Sequence, residues 1–180
     1  MTRLIKVAVC GSGADNLPKV ILKKAKTIGK LLACNKYIVC TGATTGYSCE
    51  AAKGAVAQGG ITLGFSPAEN EEEHKNYYKL PVDPYKIIIY TGVGYKARDI
   101  LMIRSVDAVV FIGGGVGTIC EMSAAIDNKK LIAVLDGSGG ATTIFNQIVS
   151  VSHRYKPHYI LEDDPKNLID KIKSYLKIQK

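Results

Sequence analysis

Short apolar runs alternate along this chain with longer segments in which apolar residues recur every three or four positions. The short runs predict strands, and several are continuously apolar, as is typical of parallel strands covered on both faces. The longer segments predict amphipathic helices. Strands are expected at 4–10, 37–41, 61–65, 86–90, 108–112, 131–135 and about 158–161. Helices are expected at about 17–33, 47–58, 96–105, 117–128, 142–150 and 165–178.

This alternation predicts an α/β fold: a doubly wound, mainly parallel sheet with helices on both faces. The length of 180 residues fits a single domain over 1–180. Ligands of such sheets bind at the carboxyl ends of the strands. The longest stretch without a predicted element is 66–85, which is acidic and then aromatic. It suits either a lid over a ligand or a solvated surface loop.

The charge balance is basic, at +8, but its distribution argues against nucleic acid as a partner. On the first and last predicted helices the lysines lie opposite an apolar stripe, as expected of solvated helix faces. Basic and aromatic residues are not interleaved in the way that stacks bases. A small ligand is therefore the expected partner.

Cysteine usage and apolar content restrict the compartment and the chemistry. The five cysteines have neither zinc-finger nor redox-motif spacing, and their odd number predicts reduced, mostly buried thiols. No His/Cys/Asp cluster points to a metal, so neither a metal nor a resident cofactor is expected. No apolar stretch is long enough to span a bilayer, and the first residues lack the pattern of a signal peptide. A cytoplasmic protein is expected.

Three predicted strands run into glycine-rich turns, two of which lead directly into predicted helices. Exposed backbone amides and the partial positive charge of a helix N-terminus attract phosphate, and glycine lets it approach closely. The residues predicted to bind a phosphate or nucleotide are Gly11, Ser12, Gly42, Gly114, Gly115, Gly117 and Thr118. Neither a dinucleotide fingerprint nor a P-loop is present, which disfavours NAD and ATP hydrolysis.

Two charged residues are candidates for chemistry next to this phosphate site. Glu121 follows Thr118 by three residues, so it either completes a helix-capping box with Thr118 or faces the ligand. Arg98 lies near the start of another predicted helix. It is either a surface residue or a ligand contact. Asp99 beside it suits the first turn of that helix.

A family resemblance rests on two segments. They read Arg98-x-x-x-Met102-x-Arg104-x-x-Asp107-Ala108 and Gly114-Gly115-x-Gly117-Thr118-x-x-Glu121. They resemble the signature of the LONELY GUY (LOG) family, which carries Arg-Lys-x-x-Met and Pro-Gly-Gly-x-Gly-Thr-x-x-Glu at the same separation. The resemblance covers about residues 5–135.

The resemblance implies a Rossmann-like homodimer that binds nucleoside monophosphates. Family enzymes cleave the N-glycosidic bond to give a free base and ribose 5-phosphate, and their catalytic pair matches Arg98 and Glu121. A carboxylate near the sugar would stabilise the oxocarbenium-like transition state, and the arginine would orient it. The leading hypothesis is therefore a phosphoribohydrolase acting on a purine nucleoside 5′-monophosphate.

The chain also departs from the family pattern. Gly113 replaces the family proline, Asp99 replaces the lysine after the arginine, and Cys120 replaces the first of two paired glutamates. The turn at 41–46 lacks the family's Gly-Gly-Gly. These differences favour a divergent branch that includes the molybdenum cofactor carrier proteins, so a non-catalytic carrier or sensor of a phosphorylated ligand is the alternative. Single-stranded DNA binding, known in DNA-processing relatives, is a third hypothesis.

Overall fold

The computed structural model describes residues 3–14 and 16–178. Its strands are β1 (Lys6–Gly11), β2 (Ile38–Thr41), β3 (Thr62–Ser66), β4 (Ile87–Tyr90), β5 (Ala108–Ile112), β6 (Leu131–Leu135) and β7 (Tyr159–Glu162). Its α-helices are α1 (Lys19–Cys34), α2 (Gly46–Val56), α3 (Glu71–Asn76), α4 (Gly94–Ser105), α5 (Val116–Asp127), α6 (Phe145–Ser150) and α7 (Pro165–Ile178), and a 3-10 helix spans Gly140–Ile144.

The seven strands form one parallel sheet in the order β4-β3-β2-β1-β5-β6-β7. Side chains of a strand alternate between the two faces, and here each face has its own core. Val7 and Val9 of β1 pack with α1, α2 and α7, whereas Ala8 and Cys10 pack with α4, α5 and α6. The predicted doubly wound fold is confirmed.

The strand order indicates where on the sheet a ligand would bind. From β1 the chain winds outward through β2 and β3 to β4, and from β5 it winds the other way through β6 to β7. The loops that follow β1 and β5 therefore leave in opposite directions and open a crevice between them, which is where such sheets bind ligands. In the described part of the chain, no helix combines the length and apolarity needed to cross a membrane.

Continuous apolar runs occur where strands are covered on both sides. All five residues of β5 and of β6 are buried, whereas the edge strands β4 and β7 alternate between exposed and half-buried positions. An edge strand lacks a neighbour on one side and is less completely covered by the helices. The predicted helices and strands all occur, with ends shifted by up to a few residues.

The stretch at 66–85, expected to be irregular, contains helix α3. Asn70 caps this helix, because its side chain accepts a hydrogen bond from the Glu73 amide at 2.9 Å. His74 is fully buried and holds the segment through both ring nitrogens, with Ser66 Oγ at 2.8 Å and the Pro81 carbonyl oxygen at 3.1 Å. The segment is thus anchored to the sheet and is not a freely solvated loop.

Helices α1 and α2 pack unusually closely, since glycines stand at their contact. A Cβ atom at Gly29 would overlap the backbone carbonyl of Ala51, and one at Gly54 would overlap the carbonyl of Lys26. This approach lets both helices lie flat on the sheet. Because backbone rather than flexible side chain blocks the space, the helices would have to separate to admit a methyl group.

Gly29→Ala is therefore expected to destabilise the protein by about 2 kcal/mol, within the usual cost of overpacking. Alanine intrinsically favours a helix, so the matched control is Gly117→Ala in α5, where a new Cβ would meet nothing within 4 Å. Urea unfolding of the two variants gives the comparison. Equal midpoints for Gly29→Ala and Gly117→Ala would contradict the close packing of α1 and α2.

Candidate functional site

A cleft of about 270 Å³ opens at the carboxyl ends of β1 and β2, between α4 and α5. This volume lies near the lower end of small-molecule pockets, which begin at about 300 Å³. Six of the residues predicted to form the site line it: Gly11, Gly42, Arg98, Gly117, Thr118 and Glu121. They come from four separate parts of the chain. The pairing of β1 with β5 in the sheet brings these parts together.

Arg98 lies in the wall of this cleft and is only 3% exposed. Its Nη1 forms an ion pair with Asp99 Oδ1 at 2.9 Å, and its guanidinium carbon lies 5.8 Å from the centre of the Tyr95 ring. Gly42 makes room for it, because a Cβ atom at position 42 would overlap the guanidinium group. Arg98 Nε is buried without a hydrogen-bond partner in the described structure, which leaves one donor unmatched.

Glu121 is 8% exposed and faces the end of β1. Its pKa is raised to about 7, chiefly by burial and also by the nearby Asp99, while a hydrogen bond with the Cys10 thiol and the charge of Arg98 limit the shift. Burial and the carboxylate likewise raise the pKa of Cys10 well above its ordinary value. At neutral pH the Glu121 carboxyl can therefore either donate or accept a proton.

The start of α5 excludes one of the two roles that the sequence left open for Glu121. Helix α5 begins at Val116 with Gly115 as its N-cap, and no side chain caps it, so Thr118 and Glu121 do not form a capping box. The glycine turn starts the helix earlier than the polar pattern indicated. Both side chains are buried within the helix, on the side that lines the cleft.

Helix α4 differs from expectation in the same way. It begins at Gly94, so Arg98 lies beyond its first turn and is buried rather than on the surface. Asp99 is not a first-turn carboxylate but the partner of Arg98. The positive φ of Gly94, 69°, allows the chain to enter the helix before the predicted residue.

The glycine loop after β5 is held in place by the segment that follows β6. Gly113 donates its amide to Ser138 Oγ at 2.8 Å, and the Gly114 carbonyl accepts from the Ala141 amide at 2.9 Å. Gly113 and Gly114 have φ values of 57° and 97°, which favour glycine. The start of α5 is thereby fixed relative to the sheet.

Three of the predicted phosphate-binding residues do not line the cleft. Gly114 and Gly115 lie on the loop leading into α5, and Ser12 lies in the turn after β1. The Ser12 carbonyl accepts a hydrogen bond from the Tyr47 amide at 3.0 Å, which joins the first two glycine turns.

Several lining residues were missed by sequence reasoning: Cys10, Thr44, Thr45, Ser48, Leu80 and Tyr95. The three hydroxyl residues belong to the glycine turn after β2 or to the start of α2, and their position beside Gly42 was an available signal. Cys10 carried no such signal, because it resembles an apolar strand residue.

Cys40 and Cys49 are buried as expected, but Cys34 and Cys120 are exposed. Among the described residues, no group of three or more His, Cys, Asp or Glu side chains could hold a metal ion.

Comparison with known proteins agrees with this fold. A model of the SLOG cluster4 family matches residues 4–169. The chain belongs to the SLOG cluster4 family. This finding confirms the resemblance to LOG proteins at the level of the wider Rossmann-like superfamily, whereas membership of the LOG family itself is not confirmed.

Solved structures similar to this SLOG cluster4 protein include two with named ligands. The molybdenum cofactor binding protein from the phototrophic bacterium Rippkaea orientalis is 27% identical, with a TM-score of 0.81, covering 98% of this chain and 99% of that one. The molybdenum cofactor carrier protein of Chlamydomonas reinhardtii is 28% identical, with a TM-score of 0.79 and coverage of 97% and 99%. An uncharacterized protein of Archaeoglobus fulgidus is 29% identical over 133 residues, 74% of this chain and 81% of the relative.

Proposed function

We propose that this protein binds a small phosphorylated ligand, a nucleotide or a molybdenum cofactor-type pterin, and holds it without turning it over. The phosphate would lie at the start of α5, where Gly117 offers open space and Thr118 lines the cleft. The similarity to cofactor-binding and carrier proteins over nearly their whole length supports this ligand class.

The pairing of Asp99 with Arg98 inside the cleft is the observation that carries the carrier proposal. It places a second carboxyl next to Glu121, and the charge of this carboxyl adds to burial, the larger cause, in raising the pKa of Glu121. Glycosidic cleavage needs an ionised carboxylate to stabilise an oxocarbenium-like transition state. A carboxyl with a pKa of about 7 is only partly ionised at neutral pH, so it stabilises such a transition state less well than a fully ionised carboxylate would.

Phosphoribohydrolase activity on a purine nucleoside 5′-monophosphate is the second candidate. One observation favours it, because Arg98 and Glu121, which match the LOG catalytic pair, line the same cleft as Gly117. The homodimer, the single domain over 1–180 and the cytoplasmic location remain predictions.

The deciding experiment combines calorimetric titration with product analysis. Purified protein is titrated with AMP, neopterin monophosphate and ribose 5-phosphate, and the AMP mixture is then analysed for free adenine by chromatography. Saturable binding without adenine release is expected. Release by the wild type but not by Glu121→Ala would establish the hydrolase instead, and absence of binding to every phosphorylated compound would contradict both functions.

Gly117→Ala tests where the phosphate lies. The added methyl group would project into open space beside the cleft, so it should leave the fold intact while weakening the binding of phosphorylated ligands about tenfold, or about 1.4 kcal/mol. Gly117→Val should weaken binding further. Unchanged affinity in both variants, with unchanged thermal unfolding, would place the phosphate elsewhere.

A further inference from the structure

An aromatic cluster lies beside the mouth of the cleft, formed by Tyr77, Tyr78 and Tyr95. The ring centres of Tyr77 and Tyr78 are 4.9 Å apart, and those of Tyr78 and Tyr95 are 5.3 Å apart, both edge to face. Tyr95 lines the cleft and remains 44% exposed. Such geometry is the favourable arrangement for aromatic pairs, so the cluster fixes the Tyr95 ring.

We infer that Tyr95 is the platform on which the fused heteroaromatic ring of the ligand stacks. This assignment rests on the proposed function and specifies the ligand further: the phosphate must be attached to a group that carries a flat purine or pterin ring. Ribose 5-phosphate and inorganic phosphate, which lack such a ring, would occupy only the end of the cleft near Gly117.

The first support is the way Tyr95 is held. The rings of Tyr78 and Tyr95 are nearly perpendicular with their centres 5.3 Å apart, and the Arg98 guanidinium lies 5.8 Å from the Tyr95 ring centre. Arg98 is itself fixed by Asp99. A ring that is already immobilised loses little conformational freedom when a ligand stacks on it, which increases affinity.

The second support is the anchoring of the segment that carries Tyr78. Tyr78 and Leu80 lie between two fixed points, the buried His74 and Pro81, and the Pro81 carbonyl accepts a hydrogen bond from His74 Nε2 at 3.1 Å. The Leu80 amide also donates to the His74 carbonyl at 3.0 Å. Leu80 lines the cleft and adds apolar surface, so this segment contributes to the ring end of the site.

The two ends of the cleft then differ in chemistry. Gly117 and Thr118 at the start of α5 suit an anion, whereas Tyr95 and Leu80 suit a flat, weakly polar ring. Stacking on tyrosine tolerates different ring systems because each has a π-face. The platform therefore accepts purine and pterin alike, and the test needs both.

The test compares ring-bearing ligands with a ring-less one in Tyr95→Leu. AMP and neopterin monophosphate are each expected to bind at least about tenfold more weakly than to the wild type, which corresponds to about 1.4 kcal/mol. The affinity for ribose 5-phosphate should not change. Tyr95→Phe keeps the aromatic face and should retain wild-type affinity for all three compounds.

Tyr159→Leu is the matched control, because Tyr159 on β7 is 43% exposed, packs edge to face on Phe145, and lies outside the cleft. It should bind all three compounds as the wild type does. Weaker binding of only one of the two ring-bearing ligands in Tyr95→Leu would contradict a platform that accepts both rings.

The outcomes separate this inference from the proposed function. If the wild type binds the phosphorylated compounds but Tyr95→Leu binds AMP and neopterin monophosphate equally well, the platform is wrong and the proposed function stands. An equal loss for ribose 5-phosphate would also overturn the platform, since it would indicate general damage to the site. If the wild type binds none of the three, the proposed function itself fails.

Discussion

Replacing Arg98 with methionine is expected to lower the free energy of unfolding by about 3–5 kcal/mol, the usual cost of removing one partner of a buried ion pair. Arg98 and Asp99 are both buried, and their side chains are 2.9 Å apart. Methionine fills much of the volume but leaves the Asp99 carboxylate without its counter-charge. Urea unfolding of wild type and variant measures the effect.

The cost should depend on pH, because Arg98 lowers the pKa values of Asp99 and Glu121. Without the guanidinium group both pKa values rise further, so ionising either carboxyl becomes more costly. The destabilisation should therefore be larger at about pH 8, where the carboxyls tend to ionise, than at about pH 5. A loss of stability that does not vary with pH would indicate lost packing rather than lost charge pairing.

Two further variants isolate the charge effect of Arg98→Met. Arg104→Met changes an exposed arginine of the same helix and should alter stability by no more than about 0.5 kcal/mol. Adding Asp99→Asn to Arg98→Met removes the orphaned carboxylate, so the double variant should be less destabilised than the sum of the single changes. Strict additivity would contradict a direct interaction between the two side chains.

The second large effect concerns Glu121 and the pH dependence of stability. Its pKa of about 7 in the folded protein exceeds the ordinary value of 4.5. Between these values the folded state retains a proton that the unfolded chain releases, so the stability present below about pH 4.5 is lost as the pH rises through 7. At about 1.4 kcal/mol per pKa unit, the loss amounts to about 3 kcal/mol.

Glu121→Gln removes this titration while keeping the shape of the side chain. The variant should lose less stability than the wild type between about pH 5 and about pH 8, and at the upper pH it should be the more stable protein. The raised pKa of Asp99 acts in the same direction and leaves a residual slope in the variant. The matched control is Glu72→Gln, at an exposed position of α3, which should retain the wild-type slope.

Thermal unfolding at a series of pH values gives the comparison. Identical slopes for the wild type and Glu121→Gln would mean that Glu121 has an ordinary pKa in the folded protein, and the proposed reason for its weakness as a catalytic carboxylate would then fail. The same variant also serves the function test, because glutamine cannot ionise. If Glu121 is not catalytic, ligand binding should survive the substitution.

The helices and strands could be predicted because their signals are local. In β5 every residue is buried, which gives a continuous apolar run. In α1 one face of the helix is buried, which gives an apolar residue every three or four positions. Helix α3 was missed although Asn70 followed by Glu73 is a recognisable helix-start pattern. Its six residues are too few for a periodic apolar pattern to stand out.

Part of the candidate site could also be predicted from the sequence, because backbone geometry favours glycine at a few positions. Glycine turns after strands mark places where a phosphate can approach, and Gly42 and Gly117 do line the cleft. Ser12, Gly114 and Gly115 share the same local pattern but do not line the cleft. A turn pattern reveals that a chain bends, but not which side of the bend faces the cleft.

By itself, the sequence determined the alternation of strands and helices, the doubly wound class and the glycine turns, because these depend on neighbouring residues. Only the tertiary structure decided that Arg98 is buried against Asp99, that Glu121 meets Cys10, and that Tyr95 borders the cleft. Burial and pKa depend on contacts between distant segments, which the adjacency of β1 and β5 in the sheet brings together.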